Sequence, residues 1–259
     1  MRARRIAAAL LFVLPLAASM SSRASAASAS STATIEQRTV VSRDKKRTYA
    51  FYAPASVKAD VRAPLIVAIH GSTSNGKAMV ERWTDIADKH GVRIAGPDAT
   101  DNSRWASPED GPLFLKDVVD DVSTRYAIDG RRIYLFGHSA GANFALQMAV
   151  LESEFFAAAA IHAGAVSSDY FSIFDAATRK IPLAIYIGTR DQFYPIDVVR
   201  ATSEALKKRG FPLLYKEIPD HDHSYKAVMG EINPEIWEYF AANPLPTDPR
   251  YTSYKDPSR

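Results

Sequence analysis

Arg132-Ile133-Tyr134-Leu135-Phe136-Gly137-His138-Ser139-Ala140-Gly141 sets a short apolar run against a G-x-S-x-G pentapeptide, and the apolar segment Ala140 to Leu151 follows it. A continuous run of this length fits a strand buried on both faces, and the segment behind it has helical length. Strand, tight turn and helix in this order lift a serine hydroxyl clear of the C-terminal edge of a parallel sheet. The glycines have a steric reason: side chains two residues before and after the serine would collide with neighbouring backbone. The helix that begins behind Ser139 offers unpaired N–H groups and the positive end of its dipole.

The same rhythm extends outward. Upstream, Ile35 to Val41 and Lys46 to Ala53 read as two strands around the polar turn Ser42-Arg43-Asp44-Lys45. Leu65 to Ile69 is another buried run, ending in His70-Gly71, and Val92 to Ala95 is the next. Helical spacing covers Ala78 to Lys89 and Leu113 to Tyr126, the latter with Leu115, Val118, Val119 and Val122 on one stripe. Downstream, strands are expected at Ala157–Ile161, Ile181–Ile187 and Leu213–Ile218. Helices are expected at Asp197–Arg209 and at Pro234–Ala241, the second with its proline in the first turn. Strands alternating with helices imply right-handed βαβ units. The expected fold is α/β: a mostly parallel sheet of about eight strands with helices on both faces, two strands forming an N-terminal antiparallel pair.

The expected organisation is one domain over residues 35–243, after a leader at 1–26 and a flexible lead-in at 27–34. An extended or mobile tail covers 244–259. The leader reading rests on basic Arg2, Arg4 and Arg5, the apolar run Ile6 to Ala18, and Ala24-Ser25-Ala26 as a cleavage site. An apolar run of that length is too short to span a bilayer roughly 30 Å thick. A secreted or periplasmic protein without a stable membrane anchor is therefore expected. The chain carries 32 Lys+Arg against 29 Asp+Glu, a formal net charge of +3. Four of those arginines, at 2, 4, 5 and 23, lie in the leader with no acid among them, so 28 against 29 leaves −1. The basic balance belongs to the leader and points to no nucleic-acid partner. There is no cysteine, which excludes disulfides, thiolate metal sites and a cysteine nucleophile.

A serine hydroxyl needs a base, and the base needs an orienting acid. On a sheet of this kind the chain order is Ser, then Asp or Glu, then His. Asp191 follows the strand Ile181–Ile187 in Gly188-Thr189-Arg190-Asp191, where a carboxylate should leave the sheet edge. Asp197 competes, but its position suits the cap of the following helix. The base must come from Asp220-His221-Asp222-His223, after the last strand. In an extended segment His221 and His223 face the same way, so geometry alone does not choose. The same four residues could also hold zinc, though no third histidine or distant carboxylate is obviously positioned, and no metal or other cofactor is expected. His70, His90, His138 and His162 read as structural or site-lining. Two backbone N–H groups should form the oxyanion hole: that of Ala140, and that of Ser72 in the loop after Ile69.

These pieces resemble the polyhydroxybutyrate-depolymerase-like and feruloyl-esterase-like branch of the α/β-hydrolases. The resemblance rests on Ile69-His70-Gly71 with Ser-Thr-Ser-Asn after it, on Asp110 to Val119, and on Tyr126-x-Ile128-Asp129-x-x-Arg132-Ile133-Tyr134 leading into the pentapeptide. It implies an α/β-hydrolase fold and a serine esterase acting through an acyl-enzyme, with Ser139, Asp191 and His223 as the triad. The stretch Asp222-His223-Ser224-Tyr225 is similar to the catalytic-histidine segment of S-formylglutathione-hydrolase-type esterases, which favours His223 over His221. The chain departs from many relatives at Ser72 and Ala142, where they carry Cys and Gly. About 50 residues separate Ser139 from Asp191, too few for a large cap, so an open groove is expected. Trp105, Phe193 and Tyr194 fall on loops at that edge and are expected to line it for a small or polymeric ester substrate. Two other readings share the scaffold: a serine peptidase of the prolyl-oligopeptidase type, and a non-enzymatic binding protein.

Overall fold

The computed structural model describes residues 33–252, so the leader reading at 1–26 lies outside the described residues, as does the tail beyond 252. Eight strands form one sheet: β1 (Glu36–Ser42), β2 (Lys45–Tyr52), β3 (Ala63–Ile69), β4 (Arg93–Pro97), β5 (Ile128–His138), β6 (Ala159–His162), β7 (Leu183–Gly188) and β8 (Leu213–Ile218). Their spatial order is β1-β2-β4-β3-β5-β6-β7-β8. The β1–β2 and β2–β4 pairs are antiparallel; every other pair is parallel. The sheet expected from the alternating pattern is therefore the one observed.

Residues alternating along the central strands feed two cores. Leu65, Val67, Ile69, Ile133 and Leu135 face one side, covered by α3 (Pro112–Ser123), α4 (Ala140–Leu151) and α5 (Ile196–Lys208). Ile66, Ala68, Tyr134 and Phe136 face the other, covered by α1 (Gly76–Glu81), α2 (Thr84–His90) and α6 (Tyr225–Ala242). This two-sided burial is what makes β3 and β5 continuous apolar runs rather than alternating ones.

Three elements differ from the sequence expectation. The helix expected over Ala78–Lys89 is two helices, broken at Arg82-Trp83, where the indole turns inward against Phe136 at 4.9 Å. The last helix begins at Tyr225, not Pro234, and carries Pro234 in its interior. Proline there removes the bond that the Gly230 carbonyl would accept, a cost that ends most helices. Here Tyr225, Val228, Ile232 and Ile236 bury at helical spacing, and Asn233 donates to the Arg82 carbonyl (2.8 Å) while accepting from the Tyr225 hydroxyl (2.6 Å). Tertiary packing outweighs the local break. The loop expected at 167–180 holds a 3-10 helix over Ser168–Ala176. The first part of the tail is extended and docked: Leu245 is buried, its N–H donates to the Arg131 carbonyl (2.8 Å), and the Thr252 N–H donates to Glu152 Oε2 (2.9 Å).

The loop between β4 and α3, which carries Trp105, hangs on a buried ion pair. Arg47 Nη2 lies 2.7 Å from Asp110 Oδ1, with the two side chains 9% and 1% exposed. Asp110 also accepts from the N–H of Thr100 (2.9 Å), the hydroxyl of Thr100 (2.8 Å) and the N–H of Ala106 (2.9 Å). Arg47 in turn donates to the carbonyls of Glu109 and Asp98 and lies over the Phe114 ring at 3.7 Å. Breaking such a pair strands a buried charge, which costs about 3–5 kcal/mol. Asp110→Ala is expected to lower the unfolding free energy by that amount in urea titration; a loss under 1 kcal/mol would show the pair to be dispensable.

Candidate active site

Steric exclusion builds the turn at Ser139. A Cβ on Gly137 would lie 2.2 Å from the Gly141 carbonyl oxygen, and one on Gly141 would lie 2.4 Å from that of His70. No side chain fits either position. Between them Ser139 adopts φ 58°, ψ −123°, a strained backbone for a residue with a Cβ. Its N–H donates to the His162 carbonyl (3.1 Å), which ties the turn to β6. Ser139 is half-buried.

His223 bridges the other two residues. Its Nε2 lies 2.9 Å from Ser139 Oγ and its Nδ1 lies 2.8 Å from Asp191 Oδ2. With the carboxylate as acceptor, Nδ1 carries the proton and Nε2 is free to accept from the serine hydroxyl. The Asp191 side chain is fully enclosed, and its Oδ1 accepts from the N–H groups of Phe193 and Tyr194, both at 2.9 Å. Both oxygens of the carboxylate are engaged, and the ring is held in one tautomer. Asp197 is elsewhere: it lies in the first turn of α5, exposed, 3.6 Å from Arg200, and Pro195 occupies the cap position.

His221 does not share the facing of His223. The His221 ring packs against His162 at 5.5 Å, whereas His223 is the ring that reaches Ser139 Oγ; the chain around them turns at Asp220, which has φ 57°. The extended segment assumed from sequence is absent, and with it the ambiguity of facing. Among the described residues, no group of three His, Cys, Asp or Glu side chains is arranged to hold a metal ion.

The loop after β3 is fastened on both sides. His70 Nδ1 is 2.8 Å from the Gly71 carbonyl and its Nε2 accepts from the Ala99 N–H (3.2 Å), so both ring nitrogens are satisfied in the neutral state. Burial lowers its pKa accordingly. The Thr73 N–H is already spent on the Asn102 carbonyl (2.7 Å). The Ser72 N–H remains the donor candidate in this loop, beside Gly71, whose added Cβ would press on Ser139 at 3.1 Å. Ala140, as the first residue of α4, has no intrahelical acceptor for its N–H.

The three aromatic candidates are placed differently. Trp105 is half-buried, donates from Nε1 to the His70 carbonyl (2.8 Å) and stacks on Phe144 at 4.8 Å, so it braces the loop after β3. Phe193 is 66% exposed, with its ring 4.7 Å from that of His223. Tyr194 stacks on His223 at 5.9 Å, and its hydroxyl accepts from Asn143 Nδ2 (2.9 Å).

Sequence reading missed how the remaining histidines are used. His138 Nδ1 and His162 Nδ1 are 3.0 Å apart, so one donates and the other accepts. The His138 ring lies 4.9 Å from His223 and 5.5 Å from Tyr225. Burial, reinforced by the neighbouring imidazoles, lowers His138 to about 3 and His162 to about 2. The wall behind His223 is aromatic and uncharged.

Residues 47–182 match the family described as Esterase PHB depolymerase. Poly(3-hydroxyalkanoate) depolymerase C of Paucimonas lemoignei is 33% identical over 115 residues, covering 39% of this chain and 28% of that protein. The chain spans 28% and 51% of the lengths of two curated relatives. Among solved structures, a thermostable esterase superposes with a TM-score of 0.65 at 20% identity, over 81% of this chain and 63% of that one. A ferulic acid esterase superposes with a TM-score of 0.64 at 15% identity, over 81% of this chain and 98% of that one. The fold is that of the α/β-hydrolases.

His138 and His162 are neutral when folded and protonate on unfolding below about pH 6.5. Stability is complete above that pH and declines as pH falls, because the unfolded chain then binds more protons. Urea unfolding should show this decline, and His162→Asn is expected to remove on the order of 2 kcal/mol of it between pH 7 and 5. An unaltered slope in that variant would mean the buried ring is protonated in the native state.

Proposed function

The chain belongs to the Esterase PHB depolymerase family, and from that premise we propose that it hydrolyses carboxylic esters through an acyl-enzyme on Ser139. The observation carrying this reading is the pair of hydrogen bonds at His223, 2.9 Å to Ser139 Oγ and 2.8 Å to Asp191 Oδ2. Ser139 Oγ attacks the acyl carbon as its proton passes to His223 Nε2, and Asp191 stabilises the imidazolium through Nδ1–H. The oxyanion is held by the N–H groups of Ala140 and Ser72. Collapse breaks the bond to the alcohol oxygen, which takes the proton from Nε2. Water, deprotonated by the same nitrogen, then attacks the acyl-enzyme; the acid leaves and the serine regains its proton.

For substrate, the reading favours esters of hydroxyalkanoates or of feruloyl-type aromatic acids. The relative named a poly(3-hydroxyalkanoate) depolymerase supports the first, and the structural neighbour titled a ferulic acid esterase supports the second. We assign Phe193 and Tyr194, whose rings lie against His223, and Trp105, held at the His70 carbonyl, to the substrate groove, where they suit apolar or aromatic groups. We place the protein outside the cytoplasm, secreted or periplasmic, on the basic start and apolar run of residues 1–26. No helix among the described residues is long and apolar enough to cross a membrane.

p-Nitrophenyl esters graded by acyl length and aromaticity test the reaction. The wild type should release p-nitrophenol and leave aminoacyl p-nitroanilides intact. Ser139→Ala and His223→Ala should each lower kcat by about 10⁴- to 10⁶-fold, and His221→Ala by less than about tenfold. A dead His221→Ala beside an active His223→Ala would reverse the assignment of the base, and full activity in Ser139→Ala would end the acyl-enzyme mechanism.

A further inference from the structure

Two histidines outside the triad form a chain from the interior to the base. His138 ends β5 and His162 ends β6, and the two are paired in register, so their side chains leave the sheet on the same face. Their Nδ1 atoms are 3.0 Å apart. His162 is fully buried, and its Nε2 finds no hydrogen-bond partner among the described residues. A buried nitrogen left unpaired costs stability that a leucine of similar size would not. The imidazole at 162 is thus accounted for by its other nitrogen, which holds the ring of His138. That ring is half-buried, packs on the buried Tyr225 at 5.5 Å with the planes 27° apart, and lies 4.9 Å from the ring of His223. Burial keeps it uncharged.

We propose that His138 is a positioning residue for His223 and that it acts chiefly in deacylation. The inference rests on the acyl-enzyme reading above. In the free enzyme the His223 ring is fixed at both edges, by Asp191 at Nδ1 and by the Ser139 hydroxyl at Nε2. Acylation replaces the hydroxyl hydrogen by the acyl carbon, so Oγ has nothing left to donate and the second bond is lost. The ring then hangs from Asp191 by one edge, and its Nε2 must still meet a water molecule aimed at the acyl carbon. Packing against the ring takes over the task of holding it. Phe193, at 4.7 Å, is largely exposed, and Tyr194 lies farther off, at 5.9 Å. His138 is carried by a central strand and braced by His162 and Tyr225. In the step itself Nε2 takes a proton from water as the water oxygen bonds to the acyl carbon. The bond from that carbon to Oγ then breaks, Oγ receives the proton from Nε2, and the acid leaves. A base misplaced by about 1 Å forfeits up to about a hundredfold in such a step.

The two half-reactions are measured apart with p-nitrophenyl butyrate. The rate of the p-nitrophenol burst gives acylation, and decay of the isolated acyl-enzyme, followed by intact-protein mass spectrometry, gives deacylation. Both are rate constants of molecules that react, so a fraction of unfolded protein does not enter their ratio. His138→Leu should slow deacylation by about tenfold or more while acylation, in which the Ser139 hydroxyl still holds the ring, falls by less than about threefold. His162→Leu should move the ratio in the same direction by a smaller factor. The bond from the Ser139 N–H to the His162 carbonyl is main-chain, so the serine turn keeps it in either variant at 162. His162→Asn puts an amide atom where Nδ1 stood and should restore the wild-type ratio. His138→Phe keeps a ring against His223 and should stay within about threefold of that ratio. Equal slowing of both steps in His138→Leu, or an unchanged rate of deacylation, overturns the positioning role and leaves the esterase reading intact. A wild type that forms no acyl adduct on Ser139 ends both.

Discussion

Ser139 is held at φ 58° by a contact that admits no alternative: the backbones of Gly137, Gly141 and His70 approach too closely for a Cβ on either glycine. Relaxing the serine to an ordinary conformation would drive β5 and α4 apart, and both are packed into the same core. The strain is therefore stored by the sheet and helix together. From this follow the placing of the hydroxyl at the strand ends, the N–H of Ala140 without an intrahelical acceptor beside it, and the proximity of Gly71 in the loop after β3. The same interlocking recurs on the other side of the site, where a Cβ on Gly188 would strike the His221 carbonyl at 2.2 Å. The strand that delivers Asp191 and the loop that delivers His223 are thus brought into register by direct backbone contact.

Around that centre, the buried charged groups and His70 have hydrogen-bonding partners. Arg47 and Asp110 use one another and the loop backbone; His70 uses Gly71 and Ala99; Asp191 uses His223 and two N–H groups. A site built from loops gains rigidity in this way, since each half-satisfied group would otherwise carry a desolvation cost. The histidine wall takes the other solution and stays neutral. Its low proton affinity prevents a second positive charge from forming beside His223 when that ring is protonated during a reaction.

The chain itself determined the sheet and the order of its parts. Runs such as Leu65–Ile69 and Ile133–Phe136 can be continuous only if helices cover both faces, and the glycines flanking Ser139 have no other steric reason at a strand-to-helix junction. A Gly-ended strand followed at once by Asp191 marks a carboxylate at the sheet edge, for the same reason of strand polarity.

Local pattern failed where distant residues decide. Pro234 signals a helix start, yet α6 runs through it because Tyr225, Val228 and Ile232 gain more from burial than the missing hydrogen bond costs. His221 and His223 are indistinguishable by spacing; they part because His162 receives the first ring while Asp191 and Ser139 hold the second. Trp105 reads as a groove-lining aromatic, but its indole N–H finds the His70 carbonyl 35 residues away and makes it a brace as well. Period and steric exclusion are properties of neighbouring residues and can be read along the chain, whereas which polar groups find partners, and which are left without one, depends on contacts that exist only after the sheet has closed.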